Sequence, residues 1–326
     1  MIIDKAKLNE YADLNLGRVM NYSEMIEPFS KYIESISDSK VFTGIPTIDE
    51  KLFGFRPPEV ISILSEPDIG KTTFIMNFLK YQIDSSSFLK NKLLINFSLE
   101  LNEYDLIERV LQMETGYNSF EIEKKFKSDE DFKEECKTLV KKYDNIVSVI
   151  ERVKSHQIIS YVKMIEDIYE KKAGLLIIDY LQLVGSDIRD DYTRTTRNMQ
   201  EIKETALLLN LPIVVTSQVS REAGKSDTGL TMSSGKASGA IEETSQIVLG
   251  LEKAKLTNSQ TDIDQNTIEL CSKGDIRLIR LKVLKKKRGK YLDKELYLVL
   301  NYKNLTLYEY SDWVKKFSQI YRQEAF

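Results

Sequence analysis

Eight consecutive residues carry the clearest chemical signal in this chain: Ser65-Glu66-Pro67-Asp68-Ile69-Gly70-Lys71-Thr72. An apolar run at 60–64 precedes them and a helical pattern at 71–84 follows. A turn between a strand and a helix aims backbone N–H groups and the positive helix end at an anion, which suits a phosphate chain. In that setting Gly70 lets the backbone approach closely, Lys71 reaches the β- and γ-phosphates, and the Thr72 hydroxyl ligates magnesium. The expected nucleotide-binding set is Ser65, Glu66, Pro67, Asp68, Ile69, Gly70, Lys71, Thr72 and Thr73, with Ser65 standing where such loops usually begin with glycine. Two acids belong with it. Asp179 closes the apolar run 175–178, where it could hold the metal; an Asp there could also simply cap the next turn, a reading that its occurrence together with the phosphate loop argues against. Glu100 follows the run 93–99, where a carboxylate could orient an attacking water. Position alone also allows an acid preceding the helix that starts near Asn102.

Other chemistries are poorly supplied. His156 is the one histidine, and Cys136 and Cys271 are the two cysteines, at no metal-binding spacing. Histidine metal sites and histidine-dependent triads are therefore excluded, and reduced thiols in a cytosolic protein are expected. Lys and Arg number 47 against 50 Asp and Glu, a formal net charge of −3. That balance argues against a surface that coats nucleic acid everywhere and leaves room for a local basic track. The first twenty residues lack the apolar run of a signal peptide, and no stretch is long and apolar enough for a membrane span, so a cytoplasmic location is expected.

The elements that must position these residues follow from periodicity. Apolar runs at 60–64, 92–98, 146–150, 175–180, 212–217 and 247–251 alternate with helical patterns at 71–84, 103–114, 119–142, 156–172 and 195–209. Strands that are apolar throughout, separated by helices, predict an α/β fold with a mostly parallel sheet covered on both faces. Beyond 273 the pattern alternates and turns basic, at 276–285 and 295–301, which predicts antiparallel strands ending the sheet. The polar stretch 256–273 is expected to be an exposed excursion. Near the start, apolar residues from Val19 to Ile36 recur at helical spacing before Ser37-Asp38-Ser39.

Five ordered blocks resemble the replicative hexameric DNA helicases of the DnaB type. They are 67–74 (Pro-Asp-Ile-Gly-Lys-Thr-Thr-Phe), 97–100 (Phe-Ser-Leu-Glu), 178–183 (Ile-Asp-Tyr-Leu-Gln-Leu), 215–221 (Val-Thr-Ser-Gln-Val-Ser-Arg) and 238–242 (Ser-Gly-Ala-Ile-Glu). Residues 43–49 and 54–59 look like the segment that leads into that family's core. The resemblance covers about residues 40–310 and implies a RecA-like P-loop ATPase core using ATP and Mg2+. It makes Lys71 and Thr72 phosphate and magnesium ligands, Asp179 the second metal acid, Glu100 the catalytic base and Gln218 the γ-phosphate sensor. In Leu284-Lys285-Lys286-Lys287-Arg288-Gly289 it makes Lys286 a sensing lysine and Arg288 an arginine finger reaching a neighbouring subunit. The run of three lysines leaves a one-residue slip open, and without the family the segment could be a solvated basic strand. Two loops are expected to face a central channel, about 185–199 with Arg194 and Arg197, and about 221–239 with Arg221, Lys225 and Lys236. Scattered cations among glycines and hydroxyls suit sequence-independent contact with single strands.

The expected organisation is an N-terminal extension with an amphipathic linker helix at 1–40, the RecA-like domain at 41–312, and a tail at 313–326. The linker helix could pack on an adjacent subunit or on its own core. The family's N-terminal collar domain is not among the forty leading residues, and a collarless, lysine- and asparagine-rich version looks like a phage or mobile-element protein, acting in the host cytoplasm. The implied function is a ring-forming helicase, a homo-oligomer and by resemblance a hexamer. It would move 5′→3′ on single-stranded or forked DNA, with a primase, loader or polymerase as possible partners. Two other classes stay open: a RecA-like DNA-dependent ATPase that pairs strands or remodels a partner without unwinding, and a non-hydrolysing adaptor.

Overall fold

The computed structural model describes residues 20–36, 39–85, 89–219, 229–234, 238–255 and 263–324. The chain divides into two units, residues 1–39 and 40–326. The first contributes one described helix, α1 (Tyr22–Ile36), begun by Asn21, whose side chain accepts from the Glu24 N–H at 3.0 Å. Ile26, Phe29 and Ile33 recur at helical spacing along it and are exposed.

The second unit is built on a sheet of nine strands among the described residues, in the order β3-β2-β4-β5-β1-β6-β7-β8-β9. The strands are β1 (Val60–Ser65), β2 (Leu93–Ser98), β3 (Ile146–Val149), β4 (Ala173–Asp179), β5 (Ile213–Gln218), β6 (Ile247–Lys253), β7 (Ile276–Lys286), β8 (Leu296–Asn301) and β9 (Thr306–Glu309). The first six pair in parallel; β7, β8 and β9 continue the sheet antiparallel. This is the expected mostly parallel α/β sheet, ended by antiparallel strands of which β7 is the basic one.

The apolar runs are buried on both faces because each strand feeds two cores. Ile61, Ile63, Leu175 and Ile177 pack on one side against Phe74 and Phe78 of α3 (Lys71–Ser85), with α2 (Pro46–Leu52) beside them. Val60, Leu64, Leu176 and Ile178 pack on the other against α7 (Ile158–Tyr169) and α8 (Asp191–Leu209), through Val162, Ile165, Met199 and Ile202. Ile241 of α9 (Ser238–Thr244) joins that second core. Truncating such a residue to alanine costs about 2–5 kcal/mol.

Four expectations differ from what is observed. The helix expected over 119–142 is two, α5 (Ser119–Ser128) and α6 (Glu130–Val140), because Asp129 adopts an extended conformation and its side chain accepts from the Phe132 N–H at 2.9 Å. The channel loop expected over 185–199 is helical from Asp191, where Asp190 caps α8. Within the excursion expected at 256–273, residues 265–273 form α10 (Gln265–Lys273), held by Asp264 and by packing of Ile268 beside Trp313. Finally, the boundary at 312 falls inside α11 (Tyr310–Glu324), where Trp313 is buried and stacks on Phe317 at 5.0 Å.

Candidate nucleotide site

In a parallel sheet ligands gather at the carboxyl ends of the strands. Here β1 runs into the phosphate loop, β2 ends beside Glu100, β4 ends on Asp179 and β5 on Gln218. The loop is shaped by local conformation. Asp68 and Gly70 have φ of 58° and 97°, and a Cβ added at Gly70 would meet Leu300 Cδ2 at 3.0 Å. Only glycine adopts the second value without strain. Glu66 fastens the start of the loop to β6: its N–H donates to the Leu251 carbonyl and its carboxylate accepts from the Lys253 N–H at 3.1 Å.

The expected residues converge. Lys71 Nζ lies 3.0 Å from Glu100 Oε2 and 3.0 Å from Asp179 Oδ1, and 3.7 Å over the Tyr180 ring. The Thr72 hydroxyl donates to Asp179 Oδ2 at 2.9 Å, and Thr216 donates to Oδ1 at 2.6 Å, so a buried carboxylate is held by two hydroxyls and an ammonium. Burial, and then the charges of Glu100 and Asp179, push the Tyr180 hydroxyl above its ordinary range, which keeps that ring neutral beneath Lys71. Glu100 is half-exposed, open to water on the cavity side. Gln218 lines the same cavity of about 550 Å³, with Ser65, Asp68, Gly70, Lys71, Thr72 and Thr73.

Several participants were missed in the sequence. Arg109 of α4 (Glu103–Thr115) lines the cavity and donates to the Thr73 hydroxyl at 3.2 Å. An arginine on the stripe of Leu106, Val110 and Met113 was its signal. Gln182 donates to the Ser217 hydroxyl and the Gln218 carbonyl at 2.9 and 3.1 Å, and accepts from the Gln218 N–H at 3.3 Å, so the ends of β4 and β5 are tied together. Arg277 of β7 donates to the Asp68 carbonyl and lies 5.4 Å from the Tyr302 ring centroid, forming a planar wall beside the loop. Nothing in composition marks that pair; it exists because β7 and β8 pair in one register.

Lys286 and Arg288 lie elsewhere. Lys286 pairs with Ile247 at the start of β6, and Arg288 binds Glu59, just before β1 begins. The length of β1, about 16 Å at 3.3 Å per residue, separates them from the phosphate loop of their own chain. Lys286 Nζ sits 4.7 Å over the Tyr291 ring. Arg194 pairs with Asp191 at 2.8 Å and Arg197 with Glu201 at 2.6 Å on α8, while Arg221, Lys225 and Lys236 lie outside the described residues.

The DnaB-like helicase C-terminal domain family matches residues 40–306, most of the chain and all of the site just described. The chain belongs to that family. Among curated relatives, the replicative DNA helicase DnaB of Mycoplasma pneumoniae is 24% identical over 265 residues, 74% of this chain and 53% of that protein. The chain spans about half the length of the curated relatives it matches. Among solved structures, an ATPase domain matches with a TM-score of 0.71 at 18% identity, over 89% of this chain and 99% of that one. A DnaB-like replicative helicase, studied with its interactions with primase, matches at 0.66 and 19%, over 92% and 70%. These likenesses establish the RecA-like ATPase fold. No helix among the described residues is long and apolar enough to cross a membrane.

Proposed function

We propose that this DnaB-family chain is the motor of a ring-forming, ATP-dependent replicative DNA helicase, which translocates on single-stranded DNA and unwinds duplex. One observation carries the reading. The phosphate loop with Asp179, Glu100 and Gln218 lies at one end of the central strands, and Lys286 and Arg288 lie at the other, so a nucleotide held by one copy can meet these cations only from the next. A heterologous, head-to-tail interface of this kind forms a ring where its rotation closes, and the proposed function takes that closed form.

In this reading the loop N–H groups and Lys71 hold the β- and γ-phosphates of ATP, while Arg277 and Tyr302 offer a planar face to the base. The Thr72 hydroxyl and Asp179 carboxylate, 2.9 Å apart, are hard oxygen donors that would hold Mg2+. When bound, that ion neutralises charge developing on the phosphates. Glu100 accepts a proton from the attacking water, and Gln218, at the end of β5, senses the γ-phosphate and couples its state to the segment that follows. Arg194, Arg197, Arg221, Lys225 and Lys236 supply cations for backbone contact with the strand. Helix α1 serves as the linker to an adjacent subunit, a primase or loader is a fitting partner, and the site of action is the cytoplasm.

A forked duplex with a labelled strand tests the reading. Strand release that requires ATP and magnesium is expected. Strong DNA-dependent hydrolysis without release would favour a strand-pairing or remodelling ATPase instead.

A further inference from the structure

We propose that Glu59 is a positioning residue for Arg288, holding its guanidinium within its own protomer until nucleotide on the neighbouring subunit takes it over. This rests on the reading of Arg288 as a cation acting in trans.

The geometry is a saturated fork. Arg288 Nε donates to Glu59 Oε1 and Nη2 to Oε2, each at 2.7 Å. Nη1 also donates to the Leu52 carbonyl and Nη2 to the Gly54 carbonyl. A guanidinium has five N–H donors, so this chain's own acceptors use four of them. The acceptor is itself fixed. Glu59 Oε2 accepts from the Arg56 N–H at 2.9 Å, and the Glu59 N–H donates to the Arg56 carbonyl at 2.7 Å, which closes the Arg56-Pro57-Pro58-Glu59 turn. Side-chain exposures of 12% for Glu59 and 19% for Arg288 leave the pair mostly shielded, where bidentate charge-assisted bonds are at their strongest.

That arrangement conflicts with phosphate chemistry. A finger stabilises charge spread over several phosphoryl oxygens, and one remaining N–H cannot do so. Arg288 must therefore exchange Glu59 for phosphate oxygens, two anionic acceptors of matching geometry. The exchange does not strand a bare carboxylate, because Glu59 Oε2 keeps the Arg56 N–H at 2.9 Å. The cost of leaving Glu59 falls on every turnover, and in the proposed ring it is assembly on DNA that would offset it.

The test uses the full chain, measuring ATP hydrolysis with and without single-stranded DNA. In Glu59→Gln the DNA-free rate is expected to rise roughly 5- to 10-fold. The DNA-saturated rate stays near wild type, so the stimulation ratio falls by the same factor. The double variant E59Q/R288A should be as slow as R288A alone, since Glu59 acts through Arg288. Glu59→Asp keeps the charge but shortens the reach, and gives a smaller rise of the same kind should E59Q fail to fold. An unchanged stimulation ratio with a lowered melting temperature would mean a purely structural clamp and overturn the proposal, as would a fall in both rates. Wild-type hydrolysis by R288A would instead overturn the trans role beneath it.

Discussion

Glu100 shows how far a single side chain can be read from its place at a strand end. Its carboxylate is half-exposed and 3.0 Å from Lys71, so it faces both water and the ammonium that meets phosphate. Glu100→Gln keeps the size and removes the basicity. Hydrolysis is expected to fall about 10²–10⁴-fold, while a fluorescent nucleotide still binds; unaltered turnover would remove Glu100 from catalysis. Gly70 makes a different prediction. At φ 97°, with Leu300 close by, a Gly70→Ala loop must shift or strain, at a cost of about 1–2 kcal/mol. Nucleotide affinity is expected to drop by about tenfold, read by titration, with the melting temperature of the nucleotide-free protein little changed. Lys71, Thr72, Asp179 and Glu100 were legible because an apolar run followed by one polar residue marks a strand end, and strand ends are where such sites form. Arg277 and Tyr302 were not, because their meeting depends on β7–β8 register, and nothing in the spacing of Arg288 points to its pairing with Glu59.

At the level of elements, one shielded charge cluster ties α3 and α4 to the turn at 141–143. Glu114 of α4 is nearly buried, 2.6 Å from Lys142 and from the Tyr143 hydroxyl, and it also binds Lys80 of α3. Burial raises its carboxyl, but the bonds from Lys142, Lys80 and Tyr143 outweigh it and hold the group below its ordinary 4.5. Its folded value is thus depressed. The stabilisation is full above about pH 4.5, the unfolded value, and is lost as pH falls through the folded one. Glu114→Gln should therefore lower stability at neutral pH by about 2 kcal/mol and flatten the acid limb of a melting-temperature profile. An acid limb identical to wild type would mean that other carboxylates set it. Element type was readable wherever a strand fed two cores. Boundaries were not readable where one short polar side chain decides them, as Asp129 does by capping α6 and Asp190 by capping α8.

At the scale of the molecule, the order of the strands turns a list of site residues into two half-sites. Four of the five blocks resembling DnaB-type helicases were legible because they sit on a strand end or its loop; the fifth, 238–242, lies in α9. The C-terminal tail was not legible, because Trp313 acquires meaning only by packing on residues of α10 and β7, which lie well before it in sequence. In the central sheet, β7 runs antiparallel to β6, and this reversal carries the Lys286–Arg288 segment away from the phosphate loop. If the next copy supplies those cations, two inactive variants must complement each other. Lys71→Ala destroys the phosphate loop and retains Arg288, whereas Arg288→Ala does the reverse. Mixed in equal amounts and allowed to assemble with DNA, a random head-to-tail ring has an intact loop facing an intact arginine at roughly one interface in four, half times half. Hydrolysis of the mixture is expected to recover toward that fraction of wild type, while each variant alone stays near zero. The recovery must also disappear on dilution below the assembly concentration, since a protomer alone never joins the two halves. No recovery at any ratio, from variants that each fold and assemble, would place the complementing charge within one chain and remove the reason to expect a ring.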